Sequence, residues 1–142
     1  MTNSTEIDRF RHFNRFYTNY LGLLGNHLYE SPVNLSEARV LFELDRCPGA
    51  SARDLRDRLG LDKGYVSRMV KRFVRQGWVE ERASAEDGRV KELRLAQPGD
   101  ALMAGLHRAA AEQADRALAA LAPAERKRLL DAMAAIESVL SR

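Results

Sequence analysis

Apolar residues recur every three or four positions through most of the chain, and glycine or proline interrupts each such run. The first run repeats Ile7, Phe10, Phe13, Tyr17, Tyr20 or Leu21, Leu24 and Leu28, which predicts one long amphipathic helix over residues 6–29. Gly22 and Gly25 weaken it by up to about 1 kcal/mol each relative to alanine and mark a place for close packing or a kink. Residues 35–46 predict a second helix, with Asn34 as N-cap, Val40, Leu41 and Leu44 inward, and Cys47-Pro48-Gly49 as its stop. Ser51 caps a third helix over residues 52–59, with Asp54 in the capping-box position and Gly60 as terminator. Asp62 caps a fourth over residues 63–76, and Gly77 sits where a left-handed C-terminal residue belongs.

The period then changes. Residues 79–83 and 89–95 read as two strands around Ser84-Ala85-Glu86-Asp87-Gly88, where Asp-Gly is a hairpin signal that places Gly88 at positive φ. Two helices follow, near residues 100–121 and 124–140, split at Ala122-Pro123. Their stripes are Leu102, Leu106, Ala110, Ala114, Ala117 and Leu121, then Leu129, Met133, Ile136 and Leu140, a spacing suited to a helix seam. The order predicts a mainly α chain with a small β-hairpin wing: a winged helix-turn-helix lobe over about residues 35–97, flanked by helices at about 6–29 and 99–140, in one domain over 1–142. So small a domain cannot cover the Ala/Leu helices and the aromatic first helix as well, which predicts a homodimer.

Charge sharpens this picture. The net charge of the 142 residues is only +3. Residues 1–50 hold five Lys/Arg against six Asp/Glu, residues 96–142 six against six, and residues 51–95 twelve against eight. Within that middle third, Lys63, Arg68, Lys71, Arg72 and Arg75 follow one another with no acid between them. A solvated helix face can look the same; a nucleic-acid surface is the other reading. On the fourth helix Val66, Met69, Val70 and Phe73 share one arc of about 100°, while Gly64, Ser67, Arg68, Lys71 and Arg75 fill the opposite arc, with Lys63, Tyr65 and Arg72 at its flanks. A helix fits the major groove of B-DNA, so this arc can meet base edges and phosphates together. Gly64 either lets the backbone approach DNA or eases the first turn. Ser51 joins these candidate contacts. In the wing, Arg89 beyond the Asp87-Gly88 tip can enter a minor groove, and Arg82 can pair with Asp87 across the ribbon; surface ion pairs are the plainer alternative for both.

At these residues the chain resembles the multiple-antibiotic-resistance regulator (MarR) family. Leu35-Ser36-Glu37-Ala38-Arg39-Val40-Leu41 resembles the family's second helix, and Ala50-Ser51-Ala52-Arg53-Asp54-Leu55 its third. Leu61-Asp62-Lys63-Gly64-Tyr65-Val66-Ser67-Arg68-Met69-Val70 resembles the start of its recognition helix. Gly77-Trp78-Val79-Glu80-Glu81-Arg82 and Asp87-Gly88-Arg89 resemble its wing, and Leu93 to Gly99 its Leu-Thr-x-x-Gly exit, with Ala96 for the usual threonine. The resemblance implies a dimeric repressor on a palindromic operator in double-stranded DNA, released by a small aromatic or phenolic effector. Ser67, Arg68 and their neighbours would read the major groove, and Arg89 the minor groove. The first helix and the last two would form the dimer domain. The Asp-x-Gly-Tyr-x-Ser-Arg string is similar to members fused to an N-acetyltransferase. The alternative function is therefore a module controlling an acetyltransferase elsewhere, with weak DNA binding of its own; none is expected within a chain ending at Arg142.

His12, Phe16, Tyr17 and Tyr20 can line an effector crevice of the kind the family uses, although dimer core explains the same aromatics. Redox-sensing relatives carry their cysteine in the first helix, so Cys47, the one cysteine, reads as structural. His12 and His27 lie about 22 Å apart along one helix, too far to share an ion, so no metal or other cofactor is expected. No phosphate-binding loop, dinucleotide fingerprint or nucleophile elbow is present, which argues against an enzyme. The absence of an apolar N-terminal segment and of a membrane-length apolar run predicts a cytoplasmic protein.

Overall fold

The computed structural model describes residues 1–22, 25 and 27–141. The elements run α1 (Ser4–Leu21), a 3-10 turn (Leu28–Glu30), α2 (Leu35–Arg46), α3 (Ala52–Leu59), α4 (Lys63–Arg75), β1 (Val79–Ala83), β2 (Lys91–Leu95), α5 (Gln97–Ala119) and α6 (Pro123–Leu140). Two compact units divide the chain, residues 1–106 and 107–142.

In the first unit, local hydrogen bonds set the helix starts. Asn3 with Glu6, Asn34 with Glu37, and Ser51 with Asp54 each form a reciprocal capping box, and Asp62 accepts from the Tyr65 N–H at 3.1 Å. The helix expected over residues 6–29 is shorter: Gly22 takes a left-handed conformation (φ 61°) and ends α1 at Leu21. Leu24, one of its expected stripe residues, lies outside the described residues. Leu28 is instead buried in the 3-10 turn. There Tyr29 and Glu30 both hold positive φ, 51° and 62°, a costly pair for residues with a Cβ. The turn is closed by the Leu28 N–H donating to the Val33 carbonyl at 2.7 Å.

The core joins Val40, Leu41 and Leu44 of α2, Leu55 of α3, the Val66/Met69/Val70/Phe73 face of α4, then Trp78, Val79, Leu93, Met103 and Leu106. β1 and β2 pair antiparallel from Val79 opposite Leu95 to Ala83 opposite Lys91. The α2–α3 connection pins this ribbon to the helices, since the Gly49 N–H donates to the Leu93 carbonyl and the Leu93 N–H to the Ala50 carbonyl, both at 2.9 Å. α5 starts three residues earlier than its pattern suggested. Pro98 falls in the first turn, where a missing N–H costs nothing, and a Cβ at Gly99 would lie 2.1 Å from the Trp78 carbonyl oxygen. The Pro-Gly that reads as punctuation thus serves the packing of the start of α5 on the entry to β1, where position 99 has no room for a side chain.

In the second unit, Glu125 accepts from the Ala122 N–H at 3.2 Å and Arg126 donates to the Leu118 carbonyl at 3.2 Å, fixing the corner before α6. α1 and α6 have no buried residue; Phe10, Phe16, Tyr20, Val139 and Leu140 are all more than half exposed. No helix among the described residues is long and apolar enough to cross a membrane.

Candidate nucleic-acid interface

The amphipathic split of α4 holds in three dimensions. Val66, Met69, Val70 and Phe73 are buried, while Lys63, Ser67, Arg68, Lys71 and Arg75 are exposed. Among the described residues these four cations have no acidic partner, so their charge is available to a ligand. Gly64 has a specific use: a Cβ there would come within 3.2 Å of an Arg68 guanidinium nitrogen and of an Asp62 carboxylate oxygen. The absent side chain leaves room for Arg68 to lie along the first turn. Tyr65, expected at the flank of this surface, is half-buried and packs against the core. Ser51 is occupied at the start of α3, where its hydroxyl accepts from the Asp54 N–H at 3.1 Å and its own N–H donates to the Asp54 carboxylate at 3.0 Å. The Ser51 backbone N–H, followed by the Ser51 hydroxyl, holds the Asp54 carboxyl below the usual carboxylate range against the opposing effect of burial, with Arg58 and Arg53 adding to the pull.

Arg72 is the largest departure from the expected arc. One of its terminal nitrogens donates to Glu37 and the other to the Pro32 carbonyl at 2.7 Å, and its guanidinium carbon lies 5.5 Å from the Trp78 ring centroid. At the boundary between the two faces of α4, Arg72 turns toward α2 because the only buried charge among the described residues, Glu37, lies there.

The wing also differs in its pairings. Arg82 sits across the ribbon from Glu92, and its nearest acid is Glu80 at 4.0 Å; Asp87 instead takes Arg89. Asp87 accepts from the Arg89 N–H at 3.0 Å and from the Arg89 side chain at 3.2 and 3.4 Å. Those hydrogen bonds, the guanidinium first and the N–H second, lower the Asp87 pKa. Gly88 is not at positive φ. The tight two-residue hairpin that would demand it does not form; the tip is a wider loop closed by Ser84 N–H to the Val90 carbonyl (2.8 Å) and Val90 N–H to the Asp87 carbonyl (3.0 Å). The Asp87 carboxylate caps this turn, which tolerates ordinary φ.

A cleft between α3, α4 and the ribbon gathers Arg56, Lys63, Ser67, Lys71 and Lys91 around one acid, Glu81. Arg56 and Lys91 were not foreseen as part of this surface. Only the charge surplus of the middle third hinted at them, since neither lies on the α4 arc. Of the effector candidates, His12 and Phe16 share an open groove along α1 with Thr5, Asp8, Arg9 and Phe13. Tyr17 and Tyr20 lie outside that groove and stack on each other with centroids 6.3 Å apart. Cys47 is half-buried at the C-cap of α2. No group of three or more His, Cys, Asp or Glu side chains among the described residues is placed to hold a metal.

Residues 31–90, the span from the α1–α2 junction to the end of the wing loop, match the model of the MarR family. Over that span the chain is similar to the MarR family. Members of the MarR family are transcriptional regulators rather than enzymes, and this chain has their winged helix fold. It is 27% identical over 104 residues to the HTH-type transcriptional regulator BilQ of Clostridium symbiosum, covering 73% of this chain and 72% of that one. Two solved structures share the fold. A MarR variant from E. coli complexed with operator DNA has a TM-score of 0.69 at 21% identity, over 92% of this chain and 91% of that one. The PcaV transcriptional regulator from Streptomyces coelicolor with its natural ligand has a TM-score of 0.60 at 23% identity, over 99% and 95%.

Proposed function

We infer that this chain is a MarR-type regulator, a cytoplasmic homodimer that represses transcription from a palindromic operator and is released by a small aromatic or phenolic effector. One observation carries the reading. α4 presents Lys63, Ser67, Arg68, Lys71 and Arg75 on an exposed, acid-free face whose opposite side is locked into the core. Such a helix enters a major groove with its backbone already ordered, so little backbone freedom is lost on binding. Arg89, with its side chain 92% exposed at the wing tip, extends the footprint to the adjacent minor groove. The uncovered apolar surfaces of α1 and α6 supply the dimer contacts, and the effector lies beside α1, with His12 and Phe16 lining its groove and the stacked Tyr17 and Tyr20 outside it on the same helix. DNA complexes, one of them with operator DNA, and a ligand complex among proteins of the same fold support both halves of the reading.

The test starts with selection of bound duplexes by the purified protein, followed by fluorescence anisotropy on the selected operator. Arg68→Ala should weaken operator binding by about 1–3 kcal/mol and relax its sequence preference. Arg75→Ala, two turns along, should weaken all sequences alike and reduce the salt slope by about one unit. Wild-type affinity for both variants would refute the orientation given to α4. Light scattering at micromolar protein should give twice the 16.0 kDa chain mass, and aromatic acids should lower operator affinity.

A further inference from the structure

We propose that Arg72 and Glu37 form a strut that sets the orientation of the reading helix, so that Arg72 acts as a positioning residue rather than as a DNA contact. This role presupposes the DNA-reading role proposed for α4. The two oxygens of Glu37 have separate tasks. Oε1 accepts from the Asn34 N–H at 3.0 Å and closes the capping box of α2. Oε2 accepts from Arg72, 35 residues away on the last turn of α4. The second terminal nitrogen of Arg72 donates at 2.7 Å to the carbonyl of Pro32, two residues after the left-handed Tyr29–Glu30 pair. The face of the guanidinium lies over Trp78, which is tilted against Phe73 with centroids 5.9 Å apart. One planar group therefore spans the α1–α2 junction, the start of α2, the end of α4 and the entry to the wing. Arg68, Lys71 and Arg75 lie within about one turn of this anchor, so a change in the roll of α4 at Arg72 moves all three against the groove. A lysine cannot replace the fork, because one ammonium cannot hold a carboxylate, a carbonyl and a stacked ring face in that geometry.

The pair can be separated from the cap. Glu37→Gln retains an oxygen for the Asn34 N–H but presents an amide N–H₂ to Arg72, a donor facing a donor. Wild type, Glu37→Gln, Arg72→Lys, the double variant and Arg68→Ala should be titrated by anisotropy on the selected operator and on a scrambled duplex of the same length. The titrations cover a salt series, below the melting temperature of every variant. Each strut variant should lower operator affinity about tenfold, in the range for groups coupled in one network. Affinity for the scrambled duplex and the salt slope should stay at the wild-type value, since no phosphate contact is lost. The double variant should be no weaker than the weaker single. A loss of folded protein would instead lower both duplexes by the same factor and leave their ratio unchanged, which would overturn the proposal. So would an unchanged or higher operator affinity for Glu37→Gln, because a phosphate-binding Arg72 is freed by that change. Purely additive losses would overturn it as well. Loss of operator preference in Arg68→Ala alone would sink the strut and keep the reading helix. No operator preference in any of the proteins, wild type included, would remove both.

Discussion

Gly99→Ala adds a single methyl group at the start of α5, and its cost follows from two distances. The new Cβ would lie 2.1 Å from the Trp78 carbonyl oxygen and 3.0 Å from its carbon. A carbon and a carbonyl oxygen approach to about 3.3 Å at the closest, so α5 must retreat by roughly 1.2 Å. The neighbouring Ala96 N–H donates to that same oxygen at 2.9 Å and is stretched or broken by the retreat. Overpacking costs about 1–3 kcal/mol and the lost hydrogen bond about 1 kcal/mol. Replacing a helical glycine by alanine returns up to about 1 kcal/mol. The net expectation is a destabilisation of about 1–3 kcal/mol, or roughly 3–10 °C in melting temperature for a chain of this size. Gly105→Ala is the internal control, because its Cβ would meet nothing within 4 Å on the same helix; it should leave the melting temperature unchanged or raise it. Thermal unfolding followed by circular dichroism separates the two variants. A Gly99→Ala protein that melts with or above the wild type would refute the close approach of α5 to the wing entry.

Arg89→Ala removes an exposed side chain whose partner is its neighbour Asp87. It should therefore leave the melting temperature within about two degrees while weakening operator binding, more so with A·T-rich flanks, where the minor groove is narrow. Equal anisotropy curves for wild type and variant on two operators differing only in their flanks would remove the wing from the reading surface. Asp87→Ala also deletes the acceptor of the Arg89 N–H and should weaken binding through a loosened wing loop, visible as faster amide exchange there. The Asp54 carboxyl titrates below its ordinary value in the folded chain, so its contribution to stability is present above about pH 4 and is lost as the pH falls through the lowered folded value. Asp54→Asn keeps an acceptor for the Ser51 N–H without the charge. The stability gap between wild type and this variant, measured as urea midpoints at pH 6 and near pH 3, should shrink in acid; a constant gap would remove the cap from the acid response.

Much of this protein is legible in the sequence because its signals act over three or four residues. α2, α3 and β1 have the bounds their caps and periods predict, since Asn34/Glu37, Ser51/Asp54 and Gly60 make hydrogen bonds or turns within one helical turn of themselves. The division of α4 into a core face and a basic face is likewise set by a 100° step and needs no neighbour. Tertiary structure decided what the boundary residues do. Arg72 belongs to the basic run by composition, yet the buried carboxylate of Glu37, brought to it across 35 residues, turns it inward. Arg82 and Asp87 carry opposite charges on one ribbon, yet the register places Arg82 opposite Glu92 and the loop width leaves Asp87 to cap Arg89. Gly99 reads as a helix breaker until the Trp78 carbonyl stands where its side chain would be. Arg56 and Lys91 join the basic cleft only because the closed core brings α3 and the ribbon to one cleft with α4. Local backbone chemistry fixes where an element begins and which face it buries, whereas the partner of a long polar side chain depends on which distant atoms the closed core leaves within its reach.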